Sequence, residues 1–166
     1  MAITKQKKVE IVANATATLT GAVSAAFVSF TKLTVAEVNE MRAALRAEGV
    51  KYTVVKKTLL KRALQDIKTT GDVPEMPGEI AMAVLPKGMG TDVTAPARGV
   101  QAFVKKFKEK LVFVGGVIDG AFLSAADTKA VATIPPVPVL RGMFANVINS
   151  PIQRFAIGLA EVAKIK

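Results

Sequence analysis

The sequence predicts an α/β (α+β) fold: a compact mixed-sheet domain flanked by helices, followed by a C-terminal helical extension. Two observations support this class. Through residues 1–134, apolar runs of strand length alternate with segments whose apolar residues recur at helical spacing. Pro135, Pro136 and Pro138 then force extended backbone before a further apolar pattern of helical spacing begins. We therefore expect a globular domain over 1–134, and a proline hinge with a helical extension over 135–166.

Local signals place the elements of the first half of the chain. Thr34 and Glu37 form the Thr-x-x-Glu pattern of a capping box, which predicts a helix start, and Gly49 is typical of a helix end. The predicted elements are a helix from Thr4 to about Leu19, a strand at Val23–Phe30, the helix from Thr34 to Gly49, a strand at Tyr52–Val55 and a helix at Lys56–Ile67.

The second half continues the same alternation. Lys87–Thr91 resembles a phosphate-binding loop only in its glycines and lacks the motif's spacing and its Lys-Ser/Thr ending, so we interpret it as a turn. Ser150 and Pro151 suit a helix cap and a first helical position, which predicts two short helices in the extension, interrupted at 149–151. The other predicted elements are a strand at Ile80–Leu85, a helix from about Thr91 to Lys108, a strand at Leu111–Ile118 and a helix at Ser124–Val131.

Composition excludes several classes of protein. The 166 residues are 51% hydrophobic, which is enough to form a core, but no apolar run approaches the roughly 20 residues of a membrane span. The chain has no Cys and no His, so it lacks the usual zinc ligands, a thiol nucleophile and an imidazole base. Catalysis is therefore not expected, and the lack of Cys fits a cytoplasmic protein.

The positive charge is concentrated in the first part of the chain. The net charge of +10 divides into +7 for residues 1–68, zero for 69–134 and +3 for 135–166. Lys57, Thr58, Lys61 and Arg62 share one helix face, opposite an apolar stripe. Such a face favours a nucleic-acid backbone, and the alternative is a solvated basic surface that binds nothing.

The C-terminal extension carries an apolar stripe with few charges. Phe144 and Ile148 recur 11 residues later as Phe155 and Leu159, a period that nearly preserves a helix face. The stripe can fold back on its own domain, bind an acidic protein or lie on an anionic membrane surface. We favour a partner protein and keep a peripheral membrane role as the alternative.

Several strings resemble those of the ribosomal protein L-ten family, the stalk-base proteins of the bacterial large subunit. The most specific is Val54–Ala63 (VVKKTLLKRA). The others are Leu33-Thr34-Val35, Leu45–Val50 (LRAEGV), Gly115-Gly116, Leu123-Ser124 and Ile134-Pro135.

This resemblance implies that the N-terminal domain binds large-subunit rRNA beside ribosomal protein L-eleven. It implies that the C-terminal helix carries dimers of the acidic stalk protein L-seven/L-twelve, which recruit translational GTPases. No catalytic residue, metal or cofactor is expected. The predicted RNA-binding residues are Lys5, Lys7, Lys8, Lys32, Lys56, Lys57, Thr58, Lys61 and Arg62, and the predicted partner-binding residues are Met143, Phe144, Val147, Ile148, Ile152, Phe155 and Leu159.

Three positions depart from the family pattern. Lys57 stands where the family usually has Asn, Thr31-Lys32 where it has Arg-Gly, and Pro77-Gly78 where it has Gly-Pro. The first two departures can shift individual rRNA contacts by a residue. The two units of the tail, 11 residues apart, predict two stalk dimers per chain, since relatives with three units carry three.

Overall fold

The computed structural model describes residues 4–67, 76–88, 92–107 and 110–165. The chain divides into two units, 1–134 and 135–166. The first unit holds α1 (Lys5–Thr20), β1 (Ala22–Phe30), α2 (Val35–Ala47), β2 (Lys51–Val55), α3 (Lys57–Asp66), β3 (Glu79–Pro86), α4 (Ala95–Lys106), β4 (Leu111–Ile118), β5 (Ala121–Leu123) and α5 (Ala125–Ala132), and the second holds α6 (Val137–Ile165).

The predicted fold class is confirmed, but the sheet is not a mixed one. Its strand order is β2-β3-β1-β4-β5, and every neighbouring pair is antiparallel. The strand–helix–strand segments do make β1 parallel to β2, and β3 parallel to β4. However, β3 lies between the first two strands and β1 lies between the second two, so no parallel strands are neighbours.

Helices cover both faces of the sheet. Alternate residues of β1 contribute to two separate cores: Phe27 faces α1 and α3, and Val28 faces α2, α4 and α5. Because both faces are covered, β1 and β3 are nearly continuous apolar runs rather than alternating ones. The apolar stripe predicted on α3 is buried, with Leu60 and Ala63 fully inside.

One strand was missed by the sequence analysis. β5 forms a hairpin with β4 through Asp119 and Gly120, whose φ angles are 49° and 78°. Two successive positive φ angles are typical of the two-residue turn that favours Asp-Gly. The Asp-Gly pair after a strand was therefore a usable signal, although three residues are too few to show strand periodicity.

The predicted start of α4 is displaced. The helix begins at Ala95 rather than near Thr91, because the Asp92 carboxylate accepts hydrogen bonds from the Thr94 amide and hydroxyl and so holds a turn. The helix ends at Lys106, and Thr91 and Lys108 lie outside the described residues.

The predicted interruption of the C-terminal segment is wrong. α6 is one helix of 29 residues with Pro151 inside it. A proline removes a single helical hydrogen bond and crowds the preceding turn, while the good helix formers on both sides, such as Ala145 before it and Ala156 after it, continue the helix. In the described parts of the chain no single helix meets the length and apolarity of a membrane span, although α5 and α6 do so as a broken pair, by length and composition only.

The capping box of α2 is confirmed and has an added partner. The Thr34 amide donates to Glu37 Oε2 at 2.7 Å, and the Glu37 amide donates to Thr34 Oγ1 at 3.4 Å. Lys110 Nζ, just before β4, donates to Glu37 Oε1 at 2.7 Å. The hydrogen bond from Lys110, with that from the Thr34 amide, lowers the pKa of Glu37 to about 2. Glu37 thus connects the start of α2 to the start of β4.

We predict that Glu37→Gln destabilises the protein at neutral pH and not in acid. Glutamine can still accept from the Thr34 amide but carries no charge for Lys110. Because folding lowers the pKa of Glu37 from 4.5 to about 2, its charge stabilises the fold above pH 4.5 and ceases to do so as the pH falls through 2. Urea unfolding at several pH values should show the difference from wild type closing over that interval. Glu10→Gln is the control, and a gap that is constant with pH would contradict the assignment.

Candidate nucleic-acid interface and helical extension

Two loops with cationic side chains lie at one end of the sheet. β1 and β2 run in the same direction, and Phe30 pairs with Glu79 while Val55 pairs with Ile80, so both strands end side by side across β3. Lys32 follows β1 and Lys56 follows β2. α3 begins directly after Lys56, so its first turn lies at the same end of the sheet.

The first turns of α1 reach this end as well. α1 ends at Thr20 and β1 starts at Ala22, so the helix runs back along the sheet beside α3. Lys8 and Arg62 line the same groove between the two helices. The structure thereby brings Lys8 beside Arg62 of α3, and Lys7 lies in the same turn of α1 as Lys8. Lys5 begins α1, and its side chain lies outside the described part.

The predicted RNA-binding cations whose side chains the structure describes are exposed, and none has an acidic partner among the described residues. Elsewhere on the domain, Lys106 pairs with Glu40 at 2.5 Å and Lys110 with Glu37 at 2.7 Å. A cation without a partner retains its full charge for a polyanion. Among the described residues, no carboxylate lies within ion-pair distance of Lys7, Lys8, Lys32, Lys56, Lys57, Lys61 or Arg62.

The N-terminus of α3, the positive end of its helix dipole, lies among these cations. Its N-cap residue, Lys56, makes no side-chain cap, and its first turn has no acidic residue. The Leu59 and Leu60 amides both donate to the Lys56 carbonyl, so the Lys57 and Thr58 amides at the very start point out of the helix. Helix starts of this kind favour anions.

Lys32 has an unusual backbone conformation. Its φ is 53°, in the left-handed region that costs a residue with a Cβ about 1–2 kcal/mol. A glycine, which the family resemblance places here, adopts this conformation freely. The chain therefore holds an exposed lysine at the end of β1 at the expense of stability.

Lys51 is a further exposed cation, which was not predicted from the sequence. It begins the edge strand β2, is exposed, and lines a groove of about 380 Å³ between α1 and β2 together with Lys56. Its position in a strand gave no helix face on which to group it with other cations.

On the other side of β2, the Arg42 guanidinium lies 5.9 Å from the centre of the Tyr52 ring, and burial raises the pKa of Tyr52 to about 12.

α6 presents its apolar side chains to solvent. Among the predicted partner-binding residues, the exposed fractions run from 54% for Met143 to 70% for Phe155. Exposed apolar side chains in such number are typical of an interaction surface rather than of a monomer's free surface. The predicted partner-binding residues Met143, Phe144, Val147, Ile148, Ile152, Phe155 and Leu159 are all in this exposed set, together with Val139, Ile157 and Val162.

The parts of the chain that the structure describes contain no group of three or more potential metal ligands. Lys87 and Gly88 form a turn, as predicted, and residues 89–91 of this loop lie outside the described part of the chain.

Taken together, the domain and the extension define a class of protein. It is a basic α/β domain whose described cations at one end have no acidic partner, joined to a long helix with exposed apolar residues.

Comparison with known proteins identifies the family. The family model of ribosomal protein L10 matches residues 3–105. The large ribosomal subunit protein uL10 of Shouchella clausii (strain KSM-K16) is 37% identical over 161 residues, which cover 97% of this chain and 94% of the relative. The same protein of Staphylococcus carnosus (strain TM300) is 35% identical over 148 residues, covering 89% and 86%, and that of Staphylococcus haemolyticus (strain JCSC1435) is 33% identical over 162 residues, covering 98% and 93%.

The chain belongs to the ribosomal protein L10 family. It is accordingly a structural constituent of the large ribosomal subunit that takes part in translation, and it is not an enzyme.

Proposed function

We propose that this protein forms the base of the ribosomal stalk. In this proposal the domain over 1–134 binds large-subunit rRNA beside ribosomal protein L-eleven, and α6 carries dimers of the acidic stalk protein L-seven/L-twelve. Through those dimers the protein supports recruitment of translational GTPases to the ribosome in the bacterial cytoplasm. One observation supports this proposal above the others. A single chain combines a folded domain, whose described cations at one end have no acidic partner, with a 29-residue helix whose apolar residues are exposed.

The arrangement of the cations suits the backbone of folded RNA. Lys57, Lys61 and Arg62 project from one helix, while Lys8 and Lys32 approach from α1 and from the loop after β1. Contacts from several elements to phosphates fix orientation, and RNA helices are recognised largely through shape and backbone. Each phosphate contact also releases a counterion, which makes the affinity depend on salt.

We predict that reversing Lys57, Lys61 and Arg62 to Glu abolishes rRNA binding and leaves capture of stalk dimers intact. The loss should exceed about 100-fold near 0.1 M salt, because three contacts become repulsive. Filter binding of purified large-subunit rRNA over a salt series measures it. Deleting residues 139–166 should have the opposite effect, removing the dimers and sparing the rRNA.

The matched control reverses three exposed lysines elsewhere, Lys87, Lys105 and Lys129, and so makes the same change in net charge. Equal losses in the two triple variants would show that only the net charge matters. An unchanged affinity in the first variant would refute the assigned face.

We predict opposite effects of Lys32→Gly on stability and on rRNA binding. Removing the left-handed lysine should raise the free energy of unfolding by about 0.5–1 kcal/mol, after allowance for the greater freedom of glycine in the unfolded chain. It should also weaken rRNA binding by about three- to tenfold and reduce the salt slope by about 1. Denaturant unfolding and filter binding measure the two effects. Lys32→Arg keeps the charge and the strain, and should change neither.

The exposed residues of α6 supply anchors for a partner. Burying a side chain such as Phe144 or Phe155 stabilises a complex by about 1.5–3 kcal/mol before ordering costs. The tail has a net charge of +3, which complements an acidic partner. In a continuous helix, Phe144 and Phe155 lie about 16 Å apart along the axis and differ by about 20° in direction. Two similar binding units can therefore follow one another along one face.

We predict that α6 carries two stalk dimers, one for each unit. Phe144→Asp and Phe155→Asp should each reduce the number of bound dimers from two to one, and the double variant should bind none, because a carboxylate cannot be buried in an apolar contact without a large cost. Native mass spectrometry of the co-expressed complex counts the dimers.

Asn146→Asp adds the same charge to the same helix outside the apolar stripe and should keep both dimers. One or three dimers on the wild-type chain would reject the count. Flotation of the chain with anionic liposomes, weakened by Phe144→Asp and without stalk protein in the bound fraction, would instead support the membrane alternative.

A further inference from the structure

The strand β2 forms an open edge of the sheet. The strand order places it at one end, and within the described ranges β3 is the strand it pairs with. Its five residues extend over roughly 17 Å, and the backbone groups on the outer side have no partner in the described chain. At the opposite edge, β5 has three residues, and a short strand is a common protection of an edge. The longer edge of β2 can accept a further strand.

A groove beside β2 offers apolar contacts to such a strand. It encloses about 380 Å³ between α1 and β2. Ile11, Ala15, Leu59 and Met82 are among its apolar lining residues, and Thr53 of β2 borders them. Because successive side chains of a strand point to opposite faces, a strand paired with β2 directs every second side chain towards this face. Apolar residues at those positions match the groove.

Cations lie on both faces of this edge. On the groove side, Lys51 begins β2 and is exposed. On the other side, the contact of Arg42 with the Tyr52 ring places α2 beside β2, and Arg46 follows one turn later on the same helix face. None of these three cations has a carboxylate within ion-pair distance in the described parts of the chain. Cations at an edge disfavour a basic strand and favour an acidic one.

We propose that β2 receives an extended, acidic segment of another protein as an additional strand of the sheet. Main-chain hydrogen bonds to β2 hold the segment, and its alternate apolar side chains enter the groove. Its carboxylates pair with Lys51 and with Arg42 and Arg46. The open edge is what favours a polypeptide over RNA here, because a nucleic acid can neutralise cations but cannot pair with a strand. The inference does not depend on the proposed rRNA binding.

A synthetic nine-residue peptide of alternating valine and glutamate tests the strand pairing. Fluorescence anisotropy of the labelled peptide, titrated with the full chain, should show saturable binding. Two further peptides carry N-methyl groups on all the valines or on all the glutamates. Amides of successive residues point to opposite sides of a strand, so one of these peptides should lose at least about tenfold in affinity and the other should bind like the parent.

Reversal of charge tests the acidic character of the segment. The double variant Arg46→Glu, Lys51→Glu should bind the valine–glutamate peptide at least about tenfold more weakly than the wild-type chain, and should bind a valine–lysine peptide more tightly. The matched control reverses Lys87 and Lys129, two exposed lysines on other elements, and should leave the affinity for both peptides nearly unchanged. Thermal unfolding of each variant checks that the domain remains folded.

The outcomes separate this inference from the proposed function. If the wild-type chain binds both charge types of peptide equally, or if the two N-methylated peptides bind alike, the inference is wrong. If the wild-type chain binds no peptide and the double variant loses rRNA instead, the edge belongs to the RNA surface and the inference is again wrong. If the chain binds the peptide as expected but not rRNA, the proposed function fails while this inference stands.

Discussion

The architecture of the domain depends on the burial of β1. This strand lies between β3 and β4, and its residues Ser24–Val28 are buried, with one set of side chains in each core. A strand covered on both faces requires helices on both sides of the sheet, and α1 with α3, and α2 with α4 and α5, meet that requirement. Because β1 and β2 both pair antiparallel with β3, the two strands end at the same side of the sheet.

The cations at this end of the sheet fall into two groups, those paired with a glutamate and those without an acidic partner among the described residues. Glu37 and Glu40 on α2 neutralise Lys110 and Lys106, which holds the start of α2 and the end of α4 in place. Cations contributed by α1, by the loop after β1 and by α3 have no acidic partner within the described ranges of the chain. The first group stabilises the fold, and the second is available to a polyanion, which is the division of labour expected of a protein that holds folded RNA.

The helical extension differs from the domain in the exposure of its apolar residues. Its apolar side chains are exposed, and the helix continues through Pro151. If α6 binds the stalk dimers as proposed, the helix gains stability from those dimers, and its sequence is constrained by a partner as well as by helix formation. This explains why its apolar residues spread over more positions than a surface helix of a domain carries.

The sequence by itself determined most of the elements and the character of the surfaces. The capping box of α2, the apolar stripe of α3 with its cationic reverse and the proline break before α6 depend on residues within a few positions of one another, so they can be read locally. Tertiary structure decided the strand order, the placing of Lys8 and Arg62 on one groove, and which lysines are neutralised. These features depend on residues far apart in the chain, as in the ion pair between Glu37 and Lys110, which are 73 positions apart. Periodicity contains no information about such distances, because strand pairing and charge pairing are settled only when the helices and strands pack together.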